Sequence, residues 1–415
     1  MSSLAQTIKF ATKLYRERAG TAYDGYVRRD DVALLALRPG RADPDAIYER
    51  MRARGPMNPT QMGNWATTSY RICDSILRDR RFGVGYKADR MPAAPEGVNR
   101  SMVLMNPPDH TRLRKFAMPA FAPKAVAAYE PRIEKMAAQL LDTAAGEGEF
   151  DLVSAFSAAL PIVVISDLLG VPESDTAAFS RLGIIISSGF DGFRSMRHAS
   201  QLKAARGELV AIFNRLLELR RHDPADDIIS RVATAQGETV KPQEVLPLCL
   251  IMLIAGFETS TNMISNGVLH LLDNPEQWQA LKGDPGRMAP AVVEETLRYT
   301  PSVQATTRIA LEPLELEGRQ VNEGQLVMAM LSAANRDPET YDQPLKFNIT
   351  RENPAPHLAF STGIHYCLGA PLARLQGQIA FRQLAERFPN LHRNGPVVQR
   401  NATVMRGPRE LPVAA

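Results

Sequence analysis

Residues 242 to 273 set the strongest constraint on how this chain can fold. They form its longest apolar-rich helical stretch, apolar nearly all round from Leu246 to Phe257. A helix without a polar face must be surrounded on every side. Its longest uncharged run, Val245 to Phe257, has 13 residues and contains Pro247; a bilayer span needs about 20. The segment is therefore expected to run through the centre of a folded core and to end at Asp273-Asn274-Pro275. In its middle, Ala255-Gly256-Phe257-Glu258-Thr259-Ser260-Thr261 places a carboxylate in apolar surroundings, at a cost that demands a purpose or a partner. Gly256 leaves room beside a flat ligand, and the Thr259 hydroxyl can bond a helix carbonyl and open a local groove. Distortions of that kind often mark functional sites. The plainer alternative is a kink with a satisfied buried Glu258.

Composition narrows the class. Among 415 residues, 45% are apolar and 23% charged, with a formal net charge of +4. Basic residues interspersed with 45 acidic ones do not suggest a nucleic-acid partner. Cys73, Cys249 and Cys367 are too few and too far apart for a disulfide framework, which makes the cytoplasm the expected compartment. Lys9, Lys13, Arg16 and Arg18 interrupt the place where a signal peptide would be apolar. Leu4, Ile8, Ala11 and Leu14 or Tyr15 share one helical face, expected to pack on the body of the protein; contact of residues 1–20 with an anionic membrane surface is the minor alternative.

The second informative stretch runs from Phe360 through Ser361-Thr362-Gly363-Ile364-His365-Tyr366-Cys367-Leu368-Gly369-Ala370-Pro371-Leu372-Ala373 to Arg374. Cys367 lies between glycines and directly before a helix-like run, where backbone N–H groups can wrap the sulfur and favour a thiolate. A lone thiolate suits zinc poorly but suits one axial position of haem iron. A buried structural cysteine is the bland reading. The segment closely resembles the cysteine loop of cytochromes P450, with Ser361 standing where that family usually has glycine.

The resemblance covers the chain from about Gly55 onward, through four motifs in the family's order. Ala255-Gly256-Phe257-Glu258-Thr259 resembles the motif on the helix crossing the distal haem face, which implies that Thr259 stabilises iron-bound oxygen and Glu258 feeds protons. Asp109, expected to cap a helix, precedes His110 and Arg114, four apart on one face. That run resembles the helix contacting the haem propionates; Arg308 and His365 match further propionate donors. Arg112 and Lys115, on another face, are the expected meeting place for an acidic electron-transfer partner. Glu295 and Arg298, three apart, resemble the family's Glu-x-x-Arg pair, with Arg351 as the third charge of a structural triad. The resemblance also implies that Gly256 and Gly369 border the cofactor.

These readings imply a mainly α-helical cytochrome P450 fold with a small β region (α+β), a single compact triangular domain with a long central helix over the haem. Residues 1–50 would be a helical lead-in, closed by Arg38-Pro39-Gly40, and 51–415 the catalytic domain. Residues 83–104 would be a loop able to cover a pocket. Ile184, Ile185, Phe190, Phe193, Ala255, Val303, Gln304 and Val404 are the candidate substrate contacts; the first four fall where the resembled family has a lid over the substrate channel, and core packing is as good a reading for each of them. The implied protein is a monomeric monooxygenase with non-covalent haem b, inserting one oxygen atom of dioxygen into a C–H bond. Its substrate would be a hydrophobic small molecule resembling a fatty acid, terpenoid or steroid. Electrons would come from NAD(P)H through a separate ferredoxin and ferredoxin reductase. A peroxide-driven peroxygenase, which would not need Glu258 and Thr259, and a non-enzymatic haem-thiolate binder or sensor are the alternatives.

Overall fold

The computed structural model describes residues 3–85, 101–235, 237, 239–352 and 354–415, with the side chains of 3–6, 190 and 191 outside that description. The N-terminal part carries helices α1 (Ser3–Tyr26), α2 (Asp31–Leu35), α3 (Arg38–Ala42), α4 (Asp45–Arg54) and α5 (Tyr70–Arg78). Then come α6 (Asp109–Ala117), α7 (Pro123–Ala145), α8 (Ala159–Leu169), α9 (Glu173–Ser187), α10 (Met196–His222) and α11 (Ile228–Ala235). The last group is α12 (Pro242–Asp273), α13 (Pro275–Gly283), α14 (Pro285–Tyr299), α15 (Leu331–Ala334) and α16 (Ala370–Arg387). The mainly α class with a small β region is as expected.

Helix α12 spans 32 residues. The Glu244 carboxylate accepts from the Lys241 N–H at 2.9 Å, while Pro242 occupies the first turn, where no N–H is needed. At the far end Asn274 turns its amide onto the His270 carbonyl and Pro275 forbids continuation. It is the one described helix long and apolar enough to cross a membrane, but 78% of its apolar window is buried inside the fold. Helices α8, α9, α10, α13, α14 and α16 pack around it in one hydrophobic core. Each large apolar side chain so buried contributes about 1.5–3 kcal/mol, so this core, not helix propensity, holds α12 in place.

The β part is a five-stranded sheet with strands β1 (Asn58–Pro59), β2 (Trp65–Thr67), β3 (Phe82–Gly83), β5 (Thr306–Ala310) and β8 (Leu326–Ala329), in the order β1-β2-β8-β5-β3. Only β2 and β8 run parallel, with Trp65 opposite Val327. The smaller sheets use β4 (Glu149–Asp151), β6 (Leu314–Leu316), β7 (Arg319–Val321), β9 (His392–Arg393), β10 (Val398–Gln399), β11 (Pro408–Glu410) and β12 (Pro412–Ala414).

Several local expectations are corrected. Arg38-Pro39-Gly40 opens α3 instead of ending the lead-in, because Pro39 fits a first helical turn. Asp109 caps nothing: its carboxylate binds Arg112 at 2.7 Å and Lys241 at 3.1 Å, and Pro108 holds the cap position. The face of α1 that packs carries Phe10 and Leu14, whereas Ile8 and Tyr15 are exposed. Most of the expected loop, residues 86–100, lies outside the described residues.

Candidate active site

Cys367 sits just ahead of α16. Its own N–H donates to the Phe360 carbonyl at 2.8 Å, closing the loop, and the N–H groups of Gly369 and Ala370 hydrogen-bond its sulfur. Burial nevertheless pushes the thiol up, and these N–H groups with Arg114 and Arg374 oppose that only in part. The expected thiolate is thus not secured by the loop alone; a coordinated cation would secure it. Gly363, at φ +70°, is required, since a Cβ there would come 2.5 Å from the Leu77 carbonyl oxygen. At Gly369 the Cβ position meets no protein atom within 4 Å.

Ser361 holds φ +58°, a left-handed conformation that serine adopts at a cost. Its hydroxyl does not lie free beside the sulfur: it accepts from Arg308 Nη2 at 3.4 Å. Ser361→Gly is therefore expected to raise stability by up to about 1 kcal/mol, relief of the left-handed strain exceeding the entropy that glycine costs. It should also shift the reduction potential of the haem-loaded protein modestly by freeing Arg308. Denaturant unfolding and a spectroelectrochemical titration measure the two effects, and an unchanged potential would refute the second.

Four basic side chains meet near the loop. His110 on α6 and His365 stack with ring centroids 4.2 Å apart. Burial first, then His110, Arg308 and Arg114, push the His365 imidazole down to about 3. Burial alone brings Arg308, on β5, down to about 10. None of the four has an acidic partner among the described residues. His110 Nδ1 and His365 Nε2 are buried without hydrogen bonds, so the cluster offers its donors to an anion.

On α12, every residue from Leu248 to Leu269 is buried except Ala255, Gly256 and Thr259. Ala255 and Thr259 lie one turn apart on the same face. The Thr259 hydroxyl donates to the Ala255 carbonyl at 2.8 Å, and Ser302 donates to the Thr259 carbonyl at 2.6 Å. Gly256 serves another purpose than expected: a Cβ there would come 2.9 Å from Ile165 of α8, so it admits a neighbouring helix and not a flat ligand. One turn beyond Thr259, Met263 packs over Gly377, which sets α12 against the helix following Cys367. Glu258 is 5% exposed and paired: Oε1 accepts from Arg400 Nη1 at 3.1 Å, and Oε2 accepts from the Ser187 hydroxyl.

The other candidates are scattered around this centre. Ile185 packs against the core, while Ile184 is 43% exposed and Phe193 is held edge-on by Phe10 at 5.2 Å. The side chain of Phe190 lies outside the described residues. Val303 pairs with Met405 in an isolated bridge, and the Gln304 N–H donates to the Val404 carbonyl at 2.9 Å, bringing the Val404 turn beside β5. The Gln304 amide turns back onto the Pro301 carbonyl at 2.5 Å. Arg112 is engaged by Glu244 at 2.6 Å and Asp109, so it is unavailable to a partner, whereas Lys115 is exposed. Glu295 receives Arg298 through two bonds of 2.7 and 2.8 Å and Arg351 at 3.3 Å, and all three side chains are largely buried.

A family model, Cytochrome P450, matches residues 87–284 and 287–409. The chain belongs to the cytochrome P450 family. It is 37% identical over 387 residues to the cytochrome P450 monooxygenase PikC of Streptomyces venezuelae, covering 90% of this chain and 91% of that protein. The structure of P450BioI in complex with hexadec-9Z-enoic acid ligated acyl carrier protein aligns with a TM-score of 0.84 and 34% identity, over 90% of this chain and 99% of that one. CYP109E1 from Bacillus megaterium in complex with testosterone gives 0.82 and 31%, over 91% and 99%. This cytochrome P450 is accordingly an oxidoreductase with monooxygenase chemistry, and family membership implies haem b.

The residues present fit that cofactor. The orphaned histidine nitrogens and the arginines without acidic partners suit two propionates, the open Cβ position at Gly369 suits close approach, and Cys367 is the sulfur that would ligate the iron. Two features of this cytochrome P450 have no signal in the sequence. Arg374 binds Glu294 through bonds of 2.7 and 3.0 Å and covers the Phe360 ring at 4.7 Å, bracing the loop from α14. Burial raises the Glu294 carboxyl, but the His357 imidazole 3.2 Å away and the hydrogen bonds from Arg374 outweigh it and bring it to about 2. The other is the pair of Arg400 and Ser187 on Glu258. No local spacing reports it, since these partners are 142 and 71 residues away.

Proposed function

We propose that this cytochrome P450 hydroxylates a hydrophobic small molecule of fatty-acid, terpenoid or steroid type, with dioxygen and electrons passed from NAD(P)H by a ferredoxin reductase and a ferredoxin. The observation that carries the reading is the exposed Ala255–Thr259 face on an otherwise buried helix, beside a loop that offers Cys367, two arginines without acidic partners among the described residues and two histidine donors. Bound there, haem would bind and activate dioxygen, with the thiolate's electron donation favouring O–O cleavage. Arg114 and Arg308 would neutralise the propionates, and His110 and His365 would donate hydrogen bonds to them. Thr259 presents a hydroxyl at the accessible face, and Glu258 supplies protons from the adjacent position. Val303, Ala255 and the Val404 turn border the substrate, and apolar walls exclude water. The lead-in serves the same unit, because Arg406 beside Val404 donates to the carbonyls of Gly40 and Arg41 at 2.9 and 3.1 Å.

Relatives support the substrate class: one structure holds testosterone, another an acyl carrier protein bearing hexadec-9Z-enoic acid. Exposed Lys115 on α6 is a candidate contact for the ferredoxin. Titrating the haem-loaded protein with fatty acids, steroids and terpenoids should convert the iron from low to high spin for one class; no response to any would overturn the class. With that ligand, Thr259→Ala is expected to divert electrons into released peroxide and lower product per NAD(P)H by roughly a hundredfold, as loss of a positioned proton-transfer group does. Unchanged coupling would refute the role of Thr259, and equal rates with peroxide alone would favour the peroxygenase.

A further inference from the structure

Glu258 does not face the same way as its catalytic neighbour. Consecutive helix residues project about 100° apart, and the partners show where each goes. Thr259 bonds within its own helix at the accessible face, whereas the Glu258 carboxylate is held by Arg400 from the C-terminal hairpin and by Ser187 from the end of α9. Arg400 is itself fixed: its N–H donates to the Gly407 carbonyl at 3.1 Å and its Nε to the Pro408 carbonyl at 3.3 Å. Its side chain remains 19% exposed, so it links bulk water to a carboxylate whose side chain is 6% exposed. One turn along α12 on the Glu258 face, Asn262 is fully buried with both amide atoms lacking a partner, beside Gly407 of the same hairpin. Buried polar atoms of that kind are satisfied by internal water.

We propose that Arg400 is a positioning residue for proton delivery: it holds the Glu258 carboxylate on the hairpin side of α12, where protons enter, and away from Thr259. This rests on the proton-delivery role read for Glu258. Hydroxylation consumes one C–H bond, one dioxygen, two electrons and two protons, and yields an alcohol and water. The electrons come from NAD(P)H through the ferredoxin, and the protons come from solvent past Arg400 and Glu258. Loss of Arg400 removes the contact at 3.1 Å that fixes the Glu258 carboxylate on the hairpin side, so the relay loses its entry geometry. Ser187 then ties the relay to the end of α9.

Hydrogen peroxide supplies oxygen with both electrons and both protons already in place, which separates proton delivery from the rest of the machinery. In the haem-loaded protein, Arg400→Gln is expected to keep the haem content, the reduced carbon monoxide spectrum and the peroxide-driven rate. It should lower NAD(P)H-driven product formation tenfold or more and change its solvent isotope effect. Arg400→Lys, which restores a cation, should recover most of that rate. Equal losses with peroxide and with NAD(P)H, or an unaltered isotope effect, would reduce Arg400 to a structural role and overturn the proposal. Should Arg400→Gln fail to bind haem, Ser187→Ala gives the second test, expected to lower NAD(P)H-driven but not peroxide-driven turnover; no change would overturn it equally. Glu258→Gln separates the two layers: full activity there refutes proton delivery by Glu258 itself, whereas impairment there with a normal Arg400→Gln refutes only the inference drawn for Arg400.

Discussion

Cys367→Ser is expected to abolish NAD(P)H-driven oxygenation, to background, while leaving the fold in place. Serine matches the shape of the side chain and can keep the hydrogen bonds that the N–H groups of Gly369 and Ala370 make to Sγ. The closure of the loop through the Cys367 N–H and the Phe360 carbonyl uses backbone only and survives. What is lost is the sulfur donor. The protein resists ionising even the thiol, because burial raises it; an alcohol, intrinsically a far weaker acid, will not ionise there at all. The haem-loaded variant, reduced under carbon monoxide, should show a Soret band without the large red shift of the thiolate-ligated parent. A variant retaining the parent spectrum would remove Cys367 from the axial position.

The second large effect concerns stability. Arg298 is 2% exposed and binds Glu295 twice, and its remaining donors reach the carbonyls of Asn335, Pro344 and Lys346 at 2.9–3.0 Å. One guanidinium thereby joins α14 to the end of α15 and to the chain leading to Arg351. Arg298→Leu would leave the Glu295 carboxylate buried with the Asn348 N–H at 2.8 Å and the longer contact from Arg351, and three carbonyls without that donor. Removing one partner of such a pair costs about 3–5 kcal/mol, a large part of the stability of any domain. Denaturant midpoints should fall accordingly, with haem retained less firmly. Arg298→Lys should recover only a fraction, since a point charge cannot reproduce the planar fork. A loss under about 1 kcal/mol for Arg298→Leu would show the pair to be dispensable, as replaceable buried ion pairs are.

Features that depend on near neighbours along the chain are legible in the amino-acid sequence. The central helix is bounded at Pro242 and Asp273 because proline and a polar Asp-Asn-Pro stop are local signals. Glu295 with Arg298, and His110 with Arg114, can be paired because helical spacing of three or four puts side chains on one face. A cap of α11 at Asp226 or Asp227 is readable in the same way, and the fold selects Asp227, whose Oδ1 accepts from the Ser230 N–H at 2.7 Å. The cysteine loop is readable as a motif, for its glycines serve backbone demands that arise within a short stretch of chain.

What a long-range neighbour decides is not readable. Gly256 looks like room for a ligand, yet Ile165 of α8 fills that space. Arg112 looks like a free surface charge until α12 brings Glu244 to it. The buried carboxylate of Glu258 announces a partner by its cost alone; which residue meets that cost depends on how the hairpin and α9 fold back onto α12. The sequence by itself determined the helices, their stops and the chemical kinds of side chain available, because those follow from backbone geometry and spacing over a few residues. Only the tertiary structure decided which charges neutralise one another and which way the Glu258 carboxylate of α12 faces, because Coulomb and packing energies depend on distance in space, which separation along the chain does not report.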